Sequence, residues 1–248
     1  MGKIVSLFEN WNETLIWSCL EGYMGNAWAD SIEHPQSAQI IIGDFCFFGG
    51  VPNKDLVKNF PSKYTPECIL VIPQNEEWET LIESVHKDNL KKFMRYAIKK
   101  EDNVFDKELL VSNIQQLSDS YQIRKIDEQI YSMVKSEEWS ESLCSNFATY
   151  DDFNNIGVGY VIVHDEQVVC GASSYTVYSK GIEIEIDTKK EYRRKGLAYI
   201  CASKLILDCL DKGLYPSWDA ANRESVSLAE KLGYHFDKEY VTYSLVIK

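Results

Sequence analysis

Two short stretches of this chain bring together residue types that can do chemistry. In "EYRRKGLAYI", residues 191–200, Arg193, Arg194 and Lys195 stand directly against Gly196, and an apolar run opening with Leu197 and Ala198 follows. The run predicts a helix from about 195 to 212, so its first backbone N–H groups, which have no intrahelical acceptor, lie at the basic cluster. A helix N-terminus with a glycine and flanking cations is a ready anion site. Gly196 lets a phosphate approach the backbone where a Cβ would obstruct it. The preceding "TKKEY" lengthens the approach into a loop that can gather N–H groups into a concavity. The plainer alternative is a solvated basic helix start, although cations at that end oppose the helix dipole. Two common phosphate loops do not fit: GxxxxGK[ST] is missing, and GxGxxG needs more than the one glycine present.

The second stretch is "GIEIEIDT", 181–188, where Ile182, Ile184 and Ile186 alternate with Glu183, Glu185 and Asp187. A central strand covered on both sides is apolar on both faces. A carboxylate face therefore meets water or a cleft, and on a central strand the row lines a cavity. Crowded carboxylates raise one another's pKa and attract a cationic amine. A carboxylate so placed can act as a general base, often through water. Glu183 and Glu185 are the candidate bases. An edge strand with a solvated face is the alternative.

These stretches need elements to hold them. Residues 158–188 read as three strands with turns at "HDEQ" and "SKG", an antiparallel meander. After the 195–212 helix come a strand at 214–219, a helix at 223–232 with Asn222 as N-cap, and a final strand near 239–247. Upstream, 37–50 reads as two short strands turning near Gly43, and 67–73 as a buried strand ended by a proline. Residues 76–100 read as a helix, or two broken near Asn89, and 121–127 as a strand before a helical 128–147. The charged, polar 99–121 is the softest region. The fold class expected is α/β or α+β, with an open, mostly antiparallel sheet flanked by helices.

Arg193-x-x-Gly196-x-Ala198 resembles the acyl-CoA signature of the GNAT family of N-acetyltransferases, [QR]xxGx[GA]. "AANRESVSLAEKLGYHF", 220–236, resembles the family's second motif through Asn222, Ser225, Leu228, Leu232, Gly233 and Tyr234. The resemblance covers roughly 120–248 and implies a GNAT domain there. Residues 1–119 would be a further α/β domain, a diverged half of the same fold or a separate lid. The resemblance implies acetyl-CoA as co-substrate, with its diphosphate on the N–H groups of Arg194 to Ala198 and added charge from Arg193, Arg194 and Lys195. It implies pantetheine pairing near Ile186, Asp187 and Thr188, where the family's sheet splays, with Asn222 and Ser225 on its other side. The implied reaction is acetyl transfer to a primary amine of a small molecule or peptide by direct attack. Many members carry a tyrosine general acid four residues before the second motif's glycine; here that position is Ala229, with Tyr234, Tyr240 or Tyr243 as substitutes. The departure keeps a second class open, a degenerate acyl-CoA-binding or protein-interaction module. For Trp218, packing is the expected role.

The bulk composition is that of an ordinary soluble globular protein. With 45% apolar and 26% charged residues the chain is neither disordered nor fibrous. A net charge of −12 argues against a nucleic-acid partner, which needs broad basic surface. No stretch approaches the roughly 20 apolar residues of a membrane span, and the polar start lacks the form of a secretory signal. Seven cysteines without a CxxC pair point to buried, reduced thiols and a cytoplasmic location. The four histidines lack zinc-ligand spacing, so no metal is expected. A homodimer is compatible with all of this.

Overall fold

Alternating apolar residues and two tight turns make the meander that was expected. The computed structural model describes residues 2–247. Its first elements are α1 (Thr14–Leu20), β1 (Asn26–Ala29), β2 (Ser37–Ile42), β3 (Phe45–Gly50), α2 (Lys54–Val57), β4 (Cys68–Pro73), α3 (Glu76–His86) and β5 (Leu90–Ile98). Then come α4 (Lys107–Gln115), β6 (Gln122–Lys125), α5 (Glu128–Ser136), α6 (Tyr150–Ile156), β7 (Gly159–His164), β8 (Gln167–Tyr178) and β9 (Gly181–Thr188). The rest is α7 (Leu197–Asp211), β10 (Tyr215–Ser217), β11 (Asp219–Ala220), α8 (Arg223–Lys231) and β12 (Phe236–Val246). The architecture is mixed α/β, with mostly antiparallel sheets flanked by helices, as expected. The chain divides into two compact units: residues up to Arg95 with those from Glu239 on, and Tyr96–Lys238. The boundary expected at 119/120 lies inside the second unit.

In the first unit the strands run in the order β1-β2-β3-β4-β12-β5. The β3–β4 pair is parallel, while β1–β2, β2–β3 and β4–β12 are antiparallel. Trp78 of α3 is fully buried and stacks on Phe48 at 5.0 Å. The helix expected over 76–100 is corrected: α3 stops at His86, and Leu90–Ile98 is a strand. At Lys87 the backbone turns to φ 44, ψ −115, which ends the helix. The phase slip near Asn89 was the sign of that break; the sheet's demand for a partner then overrode the helical spacing of Leu90, Phe93 and Ala97.

In the second unit a five-stranded sheet runs β10-β9-β8-β7-β6, parallel only at β10–β9. α7 packs against β7, β8, β9 and β10, with α4 beside it. It buries Leu197, Cys201, Leu205 and Cys209 at four-residue steps. Each fully buried Leu or Ile contributes about 1.5–3 kcal/mol. α7 ends as its sequence predicts: Leu214 N–H returns to the Cys209 carbonyl at 2.8 Å across Gly213, whose φ is +70.

Other elements differ from expectation. α4 lies in the region read as soft; Asp106 caps it by accepting from Glu108 and Leu109 N–H groups at 2.9 and 3.0 Å. The helix expected over 128–147 ends at Ser136, and a 3₁₀ turn, Glu141–Cys144, follows. α6 was not foreseen, although Thr149 and Asp152 form a capping box at its start. The strand expected at 214–219 is two: β10 pairs with β9, whereas β11 pairs with Tyr96 and Ala97. All seven cysteines are free thiols, and six are buried.

Candidate active site

The split between β10 and β11 makes the site. β10 runs beside β9 only from Gly181 to Glu183, and Ser217, opposite Glu183, is its last residue. From Ile184 to Thr188, β9 keeps β8 as partner, and no strand among the described residues pairs with its other edge. Trp218 fills the fork. It is 3% exposed, lies 5.6 Å from the Tyr234 ring, and donates from Nε1 to Ser225 Oγ at 3.0 Å. The packing role expected of Trp218 holds, with the addition of this hydrogen bond.

A cleft of about 730 Å³ opens alongside. Ten of the eleven expected cofactor residues line it: Ile186, Asp187, Thr188, Arg193, Arg194, Gly196, Leu197, Ala198, Asn222 and Ser225. The exception is Lys195, whose ammonium stands 4.7 Å over the Tyr192 ring. The basic stretch is shaped by two left-handed residues, Arg194 at φ 62 and Gly196 at φ 80, ψ 0. Such a turn gathers successive N–H groups into a concavity. α7 starts directly after it without a side-chain cap, and its first intrahelical bond comes from Ile200 to the Gly196 carbonyl. The N–H groups of Leu197, Ala198 and Tyr199 therefore precede the helical ladder. A Cβ built on Gly196 would meet no atom within 4 Å, so glycine serves the positive φ and leaves open space above the amides.

The cations of this stretch differ in what they touch. Arg193 donates from Nε to the Thr188 carbonyl at 2.9 Å and lies 3.2 Å from Asp187, stapling the loop to the end of β9. Arg194 carries the remaining charge at the turn. On the far wall Asn222 caps α8, its Oδ1 accepting from Ser225 N–H at 2.9 Å.

The carboxylate row divides. Glu185 and Asp187 lie opposite Ser173 and Gly171 of β8. Ser173 donates to the Leu143 carbonyl, and a Cβ on Gly171 would strike the Leu143 side chain. Directly opposed residues share a face, so Glu185 and Asp187 lie on the face that carries the 3₁₀ turn. Glu183 is 4% exposed, at the last position where β10 is still paired. The expectation that the whole row meets water or a cleft is corrected: Tyr178 and Tyr215, opposite Gly181 on the two flanking strands, help cover the face there. Glu185 is half-buried, past the end of β10 and one step from the cleft-lining Asp187. Neither Glu183 nor Glu185 lines the cleft itself.

Tyr234 is buried and donates to the Pro216 carbonyl. Burial, with smaller effects from Tyr215, Cys209 and Glu183, holds its pKa well above the ordinary tyrosine value. Tyr243 belongs to the first unit and donates to Glu83 at 2.6 Å; Tyr240 belongs to that unit too. Two tyrosines that sequence reasoning passed over, Tyr192 and Tyr199, line the cleft. Their positions beside Arg193 and three residues after Gly196 could have revealed them.

Known proteins resemble this chain. A family model described as GNAT acetyltransferase matches residues 5–243. The match takes in the first half and is not confined to 120–248. A GCN5-related N-acetyltransferase-like protein from Streptococcus suis 89/1591 is 46% identical, with 98% of this chain and 97% of that one covered and a TM-score of 0.93. An uncharacterized N-acetyltransferase, YdfB, from Bacillus subtilis (strain 168) is 29% identical over 93% of this chain and 89% of its own length. A GCN5-related N-acetyltransferase from Kribbella flavida shares the fold, with a TM-score of 0.63 at 10% identity and 95% of each chain covered. The chain belongs to the GNAT acetyltransferase family and is an acyltransferase.

Proposed function

We propose that this protein transfers the acetyl group of acetyl-CoA to the primary amine of a small molecule or peptide by direct attack. The observation that carries the reading is the meeting, in one cleft, of an amide-lined left-handed turn with the unpaired edge of β9. The donor set suits the co-substrate: N–H groups and Arg194 for a diphosphate, strand edge and Asn222 for the amides of an extended arm. When bound, acetyl-CoA supplies an activated acetyl thioester.

The chain's own residues do the rest. Leu197, Ala198 and Tyr199 N–H groups hold negative charge, and Arg193 fixes the loop that presents them. Edge groups of β9 from Ile184 to Asp187 orient the arm. Glu185, at the opening of the fork, takes the proton of the attacking amine, directly or through water. Glu183, enclosed where β10 is still paired, is the second candidate. Ala229 supplies no acid, and a thiolate with a pKa of about 8.5 leaves without one. The reading is tested by incubating the protein with acetyl-CoA and a panel of amines and following free thiol. Amine-dependent release is expected. Thermal stabilisation by CoA with no release for any amine would replace it with a binding module.

A further inference from the structure

Coenzyme A carries three phosphates, and the amide turn accounts for two. The third, a monoester on the ribose, needs a cation of its own. Arg193, Arg194 and Lys231 are the basic side chains that line the cleft. Arg193 is committed to Asp187 and Thr188, and Arg194 belongs to the turn. Lys231 is exposed, and its ammonium has no hydrogen bond or ion pair among the described residues.

α8 orders the far wall. Ser225, Leu228 and Lys231 follow at three-residue steps, so the wall passes from polar to apolar to cationic. At about 1.5 Å per residue, Lys231 stands roughly 9 Å beyond Ser225 along the helix axis. Glu224, the acidic residue on this wall, is at the opposite end of α8. Tyr199 donates its hydroxyl to the Lys231 carbonyl at 3.2 Å, tying the last turn of α8 to the first turn of α7. The terminal carbonyls of α8 repel an anion, so a phosphate there must meet the ammonium at the tip of its stem.

We propose that Lys231 binds the 3′-phosphate and makes the protein select coenzyme A over 3′-dephospho-CoA. The inference rests on the cleft being the acetyl-CoA site. The test measures dissociation constants of both compounds by calorimetry for the wild type, Lys231→Gln and, as a charge control, Lys238→Gln. Lys238 is exposed and lies off the cleft. A partly solvated charge-assisted contact predicts that the wild type prefers CoA about threefold to tenfold, less so at high salt. Lys231→Gln should erase the preference by weakening CoA alone; Lys238→Gln should keep it. Equal wild-type affinities, a preference that survives in Lys231→Gln, or equal weakening of both compounds would each overturn the proposal while leaving the acetyl-CoA reading standing. Failure of the wild type to bind either compound would overturn both.

Discussion

Gly196 is the position at which the anion site can be tested most directly. Its φ of +80 suits glycine and is tolerated by asparagine far better than by most residues. A Cβ there meets no atom within 4 Å beyond its chain neighbours. Gly196→Asn should therefore fold, with a cost of about 1 kcal/mol from the left-handed backbone and a fall in Tm of roughly 2–4 °C. Gly196→Asp has the same shape and adds one negative charge. Against a diphosphate of about two charges at roughly 4 Å, water-like screening gives about 2 kcal/mol of repulsion, and a drier site more. The aspartate should thus bind CoA at least about thirtyfold more weakly than the asparagine. The pair is compared by calorimetry at low and high salt, with Tm measured alongside. The gap should narrow as salt rises. Equal CoA affinity in two folded variants would refute a diphosphate at this turn.

Glu185→Gln should keep CoA affinity and lose about 10²–10⁴-fold in kcat, with Glu183→Gln as comparison; full activity in Glu185→Gln would remove it as base. Trp218→Phe keeps the wedge but removes the 3.0 Å bond to Ser225, and should weaken CoA by about threefold to tenfold as read by Kd. Asp127 caps α5 through Ile130 N–H at 2.9 Å, and that bond, aided by Arg124, holds its pKa below the usual value. Its contribution is full above the unfolded pKa of about 3.9 and fades as pH falls through the lower folded value. Asp127→Ala should then cost about 1 kcal/mol at pH 7 by denaturant unfolding, with the difference from wild type shrinking in acid.

The sequence was most legible where local chemistry and tertiary demand agree. Gly196, Gly213 and Asn222 sit at helix ends where backbone geometry dictates the residue, so their elements could be drawn from the chain alone. The meander was legible for the same reason: its alternation and turns are local. β5 was not, because whether Leu90–Ile98 coils or extends depends on the neighbours it joins. The same limit hid the site's inner geometry. Glu183 and Glu185 look equivalent in "GIEIEIDT", and only the end of β10 at Ser217 makes one enclosed and the other adjacent to the opening. Nor does the sequence reveal that Arg193 is engaged by Asp187, six residues earlier, or that Tyr199 reaches the end of α8.

The unpaired edge of β9 bears on solubility as well as on binding. Unsatisfied strand edges recruit other chains and seed aggregation, and proteins usually blunt them with charge, proline or cover. Here the end of that edge, Ile186 to Thr188, sits in a recess with Tyr192 and Arg193 on one side and α8 on the other. Walls on both sides limit the approach of a neighbouring chain. That cover stands in for the gatekeeping charges an exposed edge would need. The ligand-free enzyme can carry an open strand without becoming a template for its own polymer.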